Sequence, residues 1–164
     1  TLFRSKKVHA YGVEVKANLA VQPAKNWLID LSGPNSWPPS IKEGEKMSPA
    51  DQSVRKQLPY VPKYSPSLTG YISWGTWAFL YKWAFYSECF TMSSNDYTLI
   101  GDLPRYFMSN ILFEKKLLLK PMDVQLKFAV NNLLNEDYFS VLSCPMPGIN
   151  FELFIGITSK SWKN

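Results

Sequence analysis

The chain has 164 residues, of which 46% are hydrophobic, 15% aromatic and only 19% charged, with a net charge of +5. That length permits one ordinary globular domain, but the Lys and Arg residues are spread from Arg4 to Lys163 instead of clustering as a nucleic-acid face requires. Two cysteines, Cys89 and Cys144, and one histidine, His9, supply no disulfide framework, zinc cluster or nucleophile–base constellation, and no glycine spacing suits a phosphate-cradling loop.

The chain begins at Thr1 without a methionine or a signal-like apolar stretch, which predicts a cut, processed or incomplete N-terminus. Residues 8–22 read as a first strand, with Tyr11, Val13, Val15, Ala17, Leu19 and Val21 on one face and Glu14, Lys16 and Asn18 on the other. After a turn at 23–26, a second strand opposes Trp27, Ile29 and Leu31 to Asp30 and Ser32, and weakens at Gly33-Pro34. Residues 33–62 read as a long polar loop containing Pro38, Pro39, Pro49 and Pro59. A third strand, 63–74, sets Leu68, Gly70, Ile72 and Trp74 against Ser67, Thr69, Tyr71 and Ser73, and turns at Gly75-Thr76.

The clearest stretch follows. Trp77, Phe79, Tyr81, Trp83 and Phe85 alternate with Ala78, Leu80, Lys82 and Ala84, the period of a strand, and the pattern carries on through Tyr86 and Glu88. A long loop at 89–104 leads to a fifth strand, 105–119. There Ile111, Phe113, Leu117 and Leu119 oppose Asn110, Glu114 and Lys116, while Lys115, Met108 and Leu112 blur the pattern. A tight connection at 120–122 leads to a sixth strand with Val124, Leu126, Phe128 and Val130 opposite Gln125, Lys127, Ala129 and Asn131. A third long connection ends at Pro147-Gly148. The last strand places Ile149, Phe151, Leu153, Ile155 and Ile157 against Asn150, Glu152, Gly156 and Thr158.

The expected fold is therefore all-β, an antiparallel up-and-down meander of about seven strands. Short and long connections alternate, as they do in bacterial outer-membrane barrels, and strands of this length suit a bilayer crossing. The longest uncharged run, 64–81, holds Pro66, Gly70 and Gly75 and predicts no membrane helix. A lipid-facing surface is expected to comprise Trp77, Phe79, Tyr81, Trp83, Phe85, Leu126, Phe128, Phe151 and Leu153. The lumen side is expected to carry Glu14, Lys16, Asp30, Lys82, Glu88, Asn110, Gln125, Lys127 and Glu152. Trp27, Trp74, Trp77 and Trp162 fall at the short-turn rim, where an interfacial aromatic girdle belongs.

Residues 130–138, Val-Asn-Asn-Leu-Leu-Asn-Glu-Asp-Tyr, followed by Pro145-Met146-Pro147-Gly148-Ile149 and a terminal apolar strand, resemble the C-terminal end of TonB-dependent outer-membrane receptors. Residues 58–64, Leu-Pro-Tyr-Val-Pro-Lys-Tyr, resemble the lead into an earlier strand of the same barrels. The resemblance implies the last third of a barrel of about 22 strands around a plug, with the plug and the N-terminal barrel strands absent. An odd count of seven strands also predicts a piece of a larger barrel, since complete single-chain barrels have even numbers. The family imports scarce nutrients such as iron chelates, cobalamin or glycans across the bacterial outer membrane. Its partners would be outer-membrane lipid, the N-terminal barrel and plug, the periplasmic TonB protein and the outer-membrane assembly machinery.

The sequence departs from the family where Leu134 replaces the usual Phe, where Gly33-Pro34 and Pro38-Pro39 interrupt a longer strand, and where Lys163-Asn164 follow the final aromatic. No catalytic, metal-binding or cofactor-binding residue is expected, and no nucleic-acid partner. External-loop ligand candidates are Asn95, Asp96, Tyr97 and the charged stretch 42–56, and Cys89 and Cys144 are free to pair or to stay reduced. The competing reading is a soluble or surface-attached all-β module for carbohydrate or protein, with the aromatic stripe as its core or as a sugar-stacking surface.

Overall fold

The computed structural model describes residues 8–10, 13–37, 40–42, 49, 56–95, 97 and 101–159. Seven long strands form one antiparallel sheet in simple chain order: β1 Val13–Val21, β2 Trp27–Trp37, β3 Ser65–Trp74, β4 Trp77–Tyr86, β5 Tyr106–Leu118, β6 Met122–Asn131 and β7 Asn150–Ser159. The sheet is open: β1 and β7 are its two edges. No helix occurs among the described residues, and none is long and apolar enough to cross a membrane.

Period-two alternation fixes register, because a one-residue slip would exchange the faces. The consequence is visible in cross-strand rows. Val21, Ile29, Ile72, Phe79, Phe113, Phe128 and Leu153 lie opposite one another across all seven strands. The next row is Leu19, Leu31, Gly70, Tyr81, Ile111, Val130 and Phe151. Phe79 and Phe113 add a ring contact at 5.0 Å, as directly opposed aromatic pairs do. One face of the sheet is thus apolar from edge to edge.

That face is uncovered by the described chain. Among the described residues only Phe90, Leu103 and Val130 form a buried apolar core, whereas Val13 is 67% exposed and Leu153 71%. A two-layer sandwich would bury this face under a second sheet. The other sheets are only two-stranded ribbons, which pair 8–10 with 40–42, Cys89–Phe90 with Asp102–Leu103, and Phe139–Val141 with Cys144–Pro145.

Several expected boundaries shift. Gly33-Pro34 does not end the second strand, which runs to Trp37, and the pairing of 8–10 with 40–42 continues the register of β1 and β2. Part of the expected 33–62 loop is therefore strand. The β2–β3 ladder keeps its register but lacks the two pairs at Gly33 and Pro34, where Pro34 and Pro66 cannot donate an N–H. There the Ser67 hydroxyl donates to the Pro34 carbonyl at 3.2 Å. The fourth strand stops at Tyr86 instead of continuing to Glu88, and the loops at 89–104 and 135–148 each contain a short ribbon.

The turns explain the tight end. Gly75 takes φ +56°, a conformation that costs glycine little, so that Trp74 pairs directly with Trp77. The Gly75 amide donates to the Asn26 carbonyl and the Lys116 amide to the Thr76 carbonyl, which ties adjacent turns together.

Candidate functional site

The short-turn rim is aromatic on β2, β3 and β4, and its row continues across the sheet. Trp27, Trp74, Trp77, Lys115, Leu126 and Ile155 follow one another across six strands, and Trp27 stacks on Trp74 at 5.6 Å. Lys115, one of the three residues that blur the fifth-strand pattern, sits on the apolar face, with its ammonium 4.0 Å from the Trp77 ring centroid and donating to Thr76 Oγ1 at 2.7 Å. Trp162, the fourth expected girdle residue, lies outside the described residues.

All nine residues expected to meet lipid, Trp77, Phe79, Tyr81, Trp83, Phe85, Leu126, Phe128, Phe151 and Leu153, share this apolar face. Glu14, Lys16, Asp30, Lys82, Asn110, Gln125, Lys127 and Glu152 share the opposite one. Glu88 lies beyond β4 and faces Lys63 at 3.9 Å instead. Met108 and Leu112 join the polar face, and Phe154 does so on β7.

Two polar clusters are assembled there. Glu114 accepts a hydrogen bond from Gln125 Nε2 at 2.7 Å and faces the ammonium groups of Lys116 and Lys127 at 3.5 and 3.8 Å. Nearer the long connections, Asn131 Nδ2 donates to Asn150 Oδ1 at 3.0 Å and to Glu152 Oε1 at 2.7 Å. These clusters link β5, β6 and β7 across their polar side.

Beyond β6 the chain folds back on the sheet. Asn132, only 1% exposed and at φ +51°, accepts from the Glu136 amide and donates to the carbonyls of Glu136 and Pro147, while its own amide donates to Asn110 Oδ1. Asn135 accepts from the Ile149 amide at 2.8 Å and sits so close to Gly148 that a Cβ there would meet its Oδ1 at 2.6 Å. These bonds hold residues 138–146 over the polar face. Tyr138 stacks on Tyr106 at 4.6 Å, and Tyr106 on Tyr86 at 4.8 Å.

Between that overhang and β3–β5 opens a cavity of about 450 Å³. Its floor carries Thr69, Lys82 and Asn110, opposed in one row, and the tyrosine ladder forms a wall with Met146 above. Lys82 appears among the residues expected on this face, but the ladder was not legible: Tyr86, Tyr106 and Tyr138 come from separate segments. The even-numbered parity of Tyr86 and Tyr106, opposite to that of the aromatic stripe, is the signal that points to it.

The external-loop candidates behave differently. Asn95 is engaged in structure, accepting from the Gln57 amide at 2.7 Å and donating to the Gln57 carbonyl at 3.0 Å. Tyr97 is 68% exposed and sets its ring at a steep angle to that of Phe90. Asp96 lies outside the described residues, as does most of 42–56. Cys89 and Cys144 are both free thiols, and burial, followed by the nearby Asp102 carboxylate, pushes the Cys89 thiol above its ordinary pKa. Among the described residues no group of His, Cys, Asp and Glu could hold a metal ion.

Comparison of the chain with protein-family models and with curated proteins finds no match.

Proposed function

We propose that this chain is the C-terminal barrel portion of a TonB-dependent outer-membrane receptor, a transport component for a nutrient such as an iron chelate or cobalamin, without a catalytic role. The observation that carries the reading is the apolar face: continuous across seven paired strands, solvent-exposed, and backed by a polar face. So large an uncovered apolar surface is unfavourable in water and favourable against hydrocarbon. The strands run 9 to 13 residues, against the roughly 9–11 that a tilted strand needs to cross a bilayer.

Three further features agree with it. Trp27, Trp74 and Trp77 with Lys115 form the amphipathic rim expected where a barrel meets the headgroups. Connections are short at one end of the sheet and long at the other. The open edges β1 and β7 leave room for further barrel strands, and the polar face would then line the lumen against a plug.

The test is the intact mass and cellular fraction of the native product, detected with an antibody raised against residues 42–56. The expected result is an outer-membrane band several times heavier than 18.8 kDa. A soluble band near 18.8 kDa would overturn the proposal and make the chain a self-contained β module.

A further inference from the structure

We infer that the polar-face cavity beneath the 138–146 overhang is a binding site for a small organic anion with a flat aromatic body. Its volume of about 450 Å³ falls within the range of ligand pockets, roughly 300–1,000 Å³. The inference does not rest on the membrane reading, because the cavity is built from one sheet face and the chain that folds over it.

The charge argument is direct. Among the described lining residues Lys82 is the one charged side chain, and no carboxylate accompanies it. Lys116 and Lys127, on the same face, already share Glu114. Lys82 is exposed and makes no ion pair among the described residues, with neutral Thr69 and Asn110 on either side in its row. An ammonium left uncompensated in a concave, partly apolar site attracts an anion more strongly than one on an open surface.

The shape argument comes from the rings. Tyr86, Tyr106 and Tyr138 are stacked at interplanar angles of 22° and 27°, so the wall is a pile of nearly parallel planes. A flat ring extends such a pile at its end with offset stacking, and polarizable thioethers, here Met108 and Met146, make favourable contacts with ring edges. Asn110 spends its carbonyl on the Asn132 amide, which orients its NH₂ group for a second polar contact. The overhang is held by buried bonds of Asn132, so the site exists before the ligand arrives and loses little ordering entropy on binding.

The test is a chemical-shift titration of the intact native product that carries this sequence, in detergent micelles if it fractionates with the membrane and in buffer if it is soluble, with 4-nitrobenzoate, beside its neutral isostere 4-nitrobenzamide and a neutral disaccharide, maltose. Expected are saturable shifts at Lys82, Tyr106 and Tyr138, with the benzamide binding on the order of tenfold more weakly and maltose not at all. Lys82→Gln should reduce benzoate binding to the level of the amide, and Lys82→Arg should restore most of it. Ser140→Trp, on the overhang, should block both aromatic probes. Equal affinity for acid and amide, benzoate binding unchanged by Lys82→Gln, preference for maltose, or shifts confined to the Trp77 face would each overturn the assignment. A soluble chain that still binds benzoate in this way would sink the barrel reading and leave the site standing.

Discussion

The two faces of this sheet are made of the same seven strands, yet they are organised by different physics. The apolar face consists of contacts between directly opposed side chains, such as Val21, Ile29, Ile72 and Phe79 in one row, and needs only alternation and register. The polar face is organised by hydrogen bonds and ion pairs between strands, and by a loop whose buried Asn132 holds it in place. One face is therefore tolerant of apolar exchange and admits a cation only where a ring receives it, as Trp77 receives Lys115, while the other depends on particular donors and acceptors.

The largest expected effect tests the faces against each other. On the barrel reading, Phe79→Arg, in a row that is apolar across all seven strands, should cost the intact barrel about 2–4 kcal/mol in folding into a bilayer, measured by denaturant titration in vesicles. Ala78→Arg, one residue away and opposite Glu114, should cost less than about 1 kcal/mol. Equal losses would show that the two faces do not meet different surroundings.

Asn132→Ala should follow, at about 1–3 kcal/mol, because it strands the Glu136 amide and the Glu136 and Pro147 carbonyls and removes a residue type suited to positive φ. Its distinctive sign would be loss of the Tyr138–Tyr106 contact in proton spectra while the β3–β4 pairing survives. Retention of that contact would mean that other bonds fix the overhang.

Glu114→Gln should cost no more than about 1 kcal/mol, since its ion pairs lie at 3.5 and 3.8 Å and Lys116 is largely solvated. The loss should shrink as salt is raised, and a salt-independent loss would assign Glu114 to packing instead. The smallest effect concerns the thiols. Cys144 is exposed, whereas Cys89 is partly buried with its pKa raised, so maleimide should label Cys144 first at neutral pH. Because a raised pKa leaves less thiolate at a given pH, Cys89 labelling should climb only at more alkaline pH. Faster labelling of Cys89 would contradict its burial.

Much of the fold was legible because a strand's side-chain period is two, and faces follow from parity once strands are recognised. The stripe Trp77 to Phe85 and the alternations in β1, β6 and β7 needed nothing else. Gly33-Pro34 misled for an equally physical reason: proline weakens a ladder by withholding its N–H, but the loss is local, and a Ser67 hydroxyl that cannot be foreseen from spacing supplies another donor. Lys115 breaks the parity of the fifth strand because the Trp77 ring beneath it accommodates a cation on an apolar face, a contact that strand spacing does not reveal.

What the sequence by itself determined is the alternation of each strand, the order of short and long connections, and therefore an antiparallel meander with one apolar and one polar face. Register also follows largely from it, since any slip of one residue would turn charges toward the apolar side. Only the tertiary structure decided which distant polar groups meet. The Glu114 cluster, the Asn132 clamp and the Tyr86, Tyr106 and Tyr138 ladder join residues far apart in the chain through distance and angle. Hydrophobic patterning is a property of neighbours along a strand, whereas a hydrogen bond or a stacked ring is a property of positions in space.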